Sequence, residues 1–93
     1  MALRVGTVTP RYFASLTVSP AQVNANTTAS QTFTVQGLTT DMLVVVNQVS
    51  PTAGVWMLGA RVSAANTLQV DFQNTTGGNL TPTASQEFRV VAF

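Results

Sequence analysis

The sequence predicts an all-β fold, a small antiparallel β-sandwich or flattened barrel of about six to seven strands. Three observations carry this expectation. Short runs such as residues 68–73, LQVDFQ, put an apolar residue at every second position, the period of a strand with one buried face. No stretch repeats apolar residues at the i, i+3, i+4 spacing of an amphipathic helix. Turn formers recur about every 8–14 residues, as they do in sandwiches and barrels.

Taken in order, residues 1–13, MALRVGTVTPRYF, read as an N-terminal arm, and residues 14–93 as the β-sandwich domain. Within the arm, residues 3–5 and 7–9 suit a short edge strand, but Pro10 cannot donate to a ladder. Arg11, Tyr12 and Phe13 form a compact anchor of the kind enriched at interfaces. Plugging one end of the core is the plainer use for the two aromatics. Residues 14–19 alternate, with Leu16 and Val18 on one side, and Pro20 ends that strand. A polar loop follows, with Val23 as its inward residue.

The organising stretch is residues 31–47, QTFTVQGLTTDMLVVVN. Its first half alternates through Phe33 and Val35, Gly37 breaks the run, a polar turn lies between Gly37 and Asp41, and residues 42–46 are apolar at every position. A hairpin of two paired strands is the simplest expectation. Next, Trp56, Leu58, Ala60 and Val62 share one predicted inward face, with Met57, Gly59, Arg61 and Ser63 opposite. A tight connection at residues 64–66 leads to Leu68, Val70 and Phe72, a second hairpin. Residues 74–85, with Gly77, Gly78 and Pro82, read as an exposed loop. The last strand turns Phe88, Val90 and Ala92 one way and Arg89, Val91 and Phe93 the other. The parity leaves Leu43, Val45, Met57, Val91 and Phe93 outside, a surplus apolar surface that suits a partner subunit.

Composition narrows the function. The 93 residues suffice for one domain. Only 8% are charged, against about 25% in an average soluble domain. A surface of Thr, Ser, Asn and Gln can be buried against another protein without desolvating ions. A net charge of +1 from four scattered arginines provides no field to attract nucleic acid or an anionic membrane. Without Cys there is no disulfide framework or thiolate metal site, and oligomerisation is the expected source of added stability. No basic start followed by an apolar run marks a secretory leader, and no run approaches the ~20 apolar residues of a membrane helix.

Catalytic chemistry is poorly supplied. With no His, Cys or Lys, the candidates for proton transfer are Asp41, Asp71, Glu87 and Tyr12. A turn bond explains Asp41, and an ion pair with Arg61 or Arg89 suits Asp71 better than a carboxylate dyad. The three carboxylates lack calcium-loop spacing, and residues 76–79, TGGN, feed a loop rather than a phosphate-binding helix. The sequence therefore predicts no catalytic residue, no metal and no cofactor. Three Asn-X-Thr triplets, at Asn26, Asn74 and Asn79, are coincidental in a chain so rich in Asn and Thr. Trp56 could belong to a sugar-stacking platform, but its parity points to core packing.

Residues 31–47, residues 59–76 (GARVSAANTLQVDFQNTT) and residues 80–93 (LTPTASQEFRVVAF) resemble a small β-sandwich domain of tailed-bacteriophage virion proteins, including capsid decoration (cement) proteins and fibre modules. The resemblance covers residues 14–93, and residues 59–67, GARVSAANT, are its most specific piece. It implies a non-enzymatic part that joins the outer surface of the head after shell assembly. A homotrimer bridging major capsid protein subunits, made in the host cytoplasm, is the expected form. Gly37, Asp41 and Asn74 would be scaffold positions. Under this reading Arg4, Arg11, Tyr12 and Phe13 would contact the capsid or a neighbour, and Leu43, Val45, Met57, Val91 and Phe93 would close the oligomer. The alternative is a fibre or tail module that binds a host receptor or glycan.

Overall fold

The computed structural model describes residues 10–93. In chain order its strands are β1 (Tyr12–Val18), β2 (Thr28–Thr34), β3 (Val44–Gln48), β4 (Val55–Ala64), β5 (Thr67–Asn74) and β6 (Gln86–Ala92). They form two three-stranded antiparallel sheets, ordered β1-β6-β3 and β2-β5-β4, and no described residue is helical. The central strands carry the cleanest alternation. Leu68, Val70 and Phe72 of β5 face Phe88, Val90 and Ala92 of β6 across the interlayer space, and all six are fully buried. Phe88 joins the layers: its ring lies 5.7 Å from Phe33, edge-on, and 6.4 Å from Phe72. Edge-on rings gain from the aromatic quadrupole as well as from burial.

The hairpin expected over residues 31–47 does not form. β2 pairs with β5, placing Phe33 opposite Leu68, whereas β3 pairs with β6 in the other sheet, placing Val46 opposite Val90. Local bonds explain the departure. After β2 the chain is tied to the β4–β5 turn, because Val35 N donates to Asn66 O at 2.9 Å and Asn66 N donates to Leu38 O at 2.9 Å. Gly37 N adds a bond to Asn66 Oδ1 at 2.8 Å. Gly37 sits at φ 99°, a conformation that costs a residue with a Cβ. Such a Cβ would also lie 2.8 Å from the Tyr12 ring. Leu38, assigned to a polar turn from the sequence, then drops into the core at 1% exposure. Its burial draws the chain across to the second sheet.

The inward set expected for β4 is also corrected, in its first half. Register shifts between Met57 and Gly59, so that Leu58 is an extra residue on the β4 side. Such a bulge reverses the parity of everything before it. Val55 is buried and Met57 packs against the core, while Trp56 and Leu58 are exposed at 59% and 57%. Beyond the bulge Ala60 and Val62 face inward as expected.

Residues 74–85 are less of a free loop than their composition suggests. Asn74 is fully buried: its Nδ2 donates to Val23 O at 3.0 Å and Gly78 O at 2.8 Å, and its Oδ1 accepts from Thr76 N at 2.8 Å and Thr76 Oγ1 at 2.7 Å. A bridge between Val23 and Leu80 adds a short ladder, and Pro82 is buried. One amide side chain thus replaces the backbone pairing that an isolated loop lacks.

Candidate association surface

On its outer face the β1-β6-β3 sheet gathers apolar residues from three strands. Phe13 and Val45 are the partners of Val91 on either side, so the three form one row across the sheet. In the next row Leu43 and Phe93 exchange backbone bonds of 3.2 and 2.8 Å. Leu43 is 74% exposed, Phe13 66% and Val45 59%, with Val91 and Phe93 half-buried beside them. Alternation explains why they point outward, since their neighbours Ala14, Val44, Val46 and Ala92 take the inward positions. The run at residues 42–46 is apolar throughout because one of its faces packs on the core and the other lies on this patch.

Ions stand at the two ends of the patch. At one end Arg11 pairs with Asp41 at 3.3 Å and donates to Phe93 O at 3.2 Å, with Thr39 Oγ1 also donating to Asp41. The Thr39 hydroxyl, followed by the Arg11 guanidinium, holds the Asp41 carboxyl below its ordinary value. At the other end Arg89 pairs with Glu87 at 3.0 Å and Ser15 Oγ donates to Glu87 at 2.8 Å. Those two donors, Arg89 first, lower the Glu87 carboxyl. An apolar centre with a polar rim is the usual make-up of a protein interface.

The sequence candidates divide. Leu43, Val45, Val91 and Phe93 come together on this face, and Phe13, first assigned to the arm, joins them from β1. Met57 does not, because the bulge turns it inward. Tyr12 serves one end of the core: its ring covers Gly37 and its hydroxyl donates to Gln36 O at 2.5 Å. Arg11 lies at the rim, and Arg4 lies outside the described residues. Sequence parity missed the exposure of Trp56 and Leu58, for which Gly59 within a strand was the available signal of a bulge.

No cavity opens among the described residues, and no three His, Cys, Asp or Glu side chains cluster there. Asp71 makes no ion pair with Arg61, which bonds Gln69, or with Arg89, which lies in the other sheet; it accepts from Ser30 Oγ at 2.7 Å and Gln69 Nε2 at 3.2 Å. The Ser30 bond is the leading cause that lowers its carboxyl, as the Thr39 and Arg89 bonds lower those of Asp41 and Glu87. Comparison with known protein families, curated proteins and solved structures finds no match.

Proposed function

We propose that this chain is a non-enzymatic structural protein of a bacteriophage virion, a capsid decoration protein that self-associates through the outer face of the β1-β6-β3 sheet. The contiguous apolar patch of Phe13, Leu43, Val45, Val91 and Phe93, with its ions at the ends, is the observation that supports self-association. A contiguous exposed apolar patch of this kind marks an interaction site. The head and the trimeric state come from the resemblance of residues 31–47, 59–76 and 80–93 to virion sandwich domains. In this role the affinity for a shell would come from several modest contacts multiplied by valency. A fibre or tail module, the alternative, would use the opposite face, where Trp56 is exposed.

Light scattering on the purified chain tests the reading. The expected mass is about three times the 9.8 kDa of one chain, and a lone 9.8 kDa species would overturn self-association. Paired substitutions Val45→Asp and Val91→Asp should give a folded monomer that no longer binds emptied phage heads. Undiminished binding by that variant would remove this face from the docking mechanism.

A further inference from the structure

The outer face of the β2-β5-β4 sheet is built from different chemistry. Thr28, Gln73 and Trp56 form one row across its strands, Ser30, Asp71 and Gly59 the next, and Thr32, Gln69 and Arg61 the third. Successive rows lie about 7 Å apart along the strands, so the three span roughly 14 Å. The exposed indole of Trp56 is held by its Nε1–H, which donates to Thr75 Oγ1 at 3.2 Å. In the middle row Gly59 has no side chain, and a Cβ built there would meet nothing within 4 Å, which leaves a shallow step beside Asp71. Asp71 is oriented by Ser30 and Gln69, both of which bond its Oδ1 and neither its Oδ2. Arg61 donates to Gln69 Oε1 at 3.4 Å. One carboxylate and one guanidinium leave the face neutral overall.

We propose that this face binds a neutral saccharide chain, with one sugar ring stacked on the Trp56 indole and the hydroxyls of its neighbours held by Asp71, Gln69 and Arg61. A sugar ring presents C–H bonds on its flat side and hydroxyls around its rim. An indole suits the first, and a carboxylate, an amide and a guanidinium suit the second. An aliphatic partner would strand the hydroxyl and amide rows without hydrogen bonds. An anionic chain would meet the unshared Oδ2 of Asp71. The open, cavity-free surface fits an extended chain lying along the strands better than a small molecule, which needs enclosure. Binding here requires neither self-association nor a capsid, so a monomeric wild-type protein would leave it standing.

Trp56 is the only tryptophan in the chain, and its emission therefore reports occupancy directly. Titration of the full chain with cellohexaose, maltohexaose and mannohexaose should give a saturable emission change with at least one, at a Kd on the order of 1 mM or tighter. By calorimetry Trp56→Ala and Asp71→Asn should each weaken that binding by about tenfold or more, with unchanged unfolding midpoints. Val45→Asp, on the other sheet, should leave it intact. The proposal is overturned by the absence of a saturable change with all three sugars, by full affinity in Asp71→Asn, or by tighter binding of a sulfated hexasaccharide.

Discussion

The two outer faces of the sandwich share a scaffold and differ in what they show to solvent. Each lies on a three-stranded antiparallel sheet over the same core. One carries Phe13, Leu43, Val45, Val91 and Phe93, and the other carries Thr28, Ser30, Thr32, Gln69, Asp71 and Gln73, with Trp56 and Leu58 at one edge. Exposed apolar area is unfavourable by about 25 cal/mol per Å² until something covers it, whereas hydroxyls and amides are satisfied by water. The first face would therefore gain from being covered, whereas the second is satisfied by solvent. Alternation decides which residues face out; their chemistry decides what company they keep.

The comparison can be broken most severely through the core that both faces share. Phe88→Ala removes the ring lodged between Phe33 and Phe72, and should cost about 3–5 kcal/mol, so both faces are lost together in urea unfolding. A loss below about 1 kcal/mol would mean that the layers are not coupled through this side chain. A more selective change is Asn74→Ala, expected to cost about 1–3 kcal/mol because the fully buried amide that bonds Val23 O, Gly78 O and Thr76 N is removed. Hydrogen exchange should quicken at residues 74–80 and stay slow in β6; equal quickening in both would show that the amide network is not local to the β2-β5-β4 end.

Acid has the smallest expected effect, and it should touch the two faces alike. Asp41 and Glu87 flank the apolar patch, Asp71 sits on the hydroxyl-rich face, and all three are held below ordinary values of 3.8 for Asp and 4.5 for Glu. A lowered folded-state pKa contributes stability above the unfolded value, and the contribution fades as pH falls through the folded one. The decline should therefore begin below about pH 4.5 and stay small, because these groups are exposed to solvent. With no His and no Cys, no side chain titrates between about pH 6 and 8, and the thermal midpoint should be flat there. A clear step in that interval would contradict the assignment.

Much of this could be read from the chain. The alternation in β1, β5 and β6 named their inward residues correctly, from Leu16 to Val90, because none of these strands carries an extra residue of its own. Four of the five residues expected on the outer apolar surface lie on one face. The errors have a common origin in single backbone positions. One extra residue at Leu58 turned Trp56 outward and Met57 inward, which no count of period two registers unless Gly59 is taken as a bulge marker. Leu38 looked like part of a polar turn, and its burial depends on three bonds to Asn66, far along the chain. Asn74 looked like the start of an open loop and is instead the buried amide that organises it.

By itself the sequence determined that the chain is all-β, that its core is drawn from alternate positions, and that it contains no His, Cys or Lys. These are local properties, set by side-chain chemistry and by the two-residue repeat of an extended backbone. Only the tertiary structure decided which strands are neighbours, that β2 and β3 belong to different layers, and that the outward residues sort into one apolar face and one hydroxyl-rich face. Pairing is chosen by long-range backbone bonds and by the burial of residues such as Leu38 and Phe88. Those contacts exist only once distant segments have met.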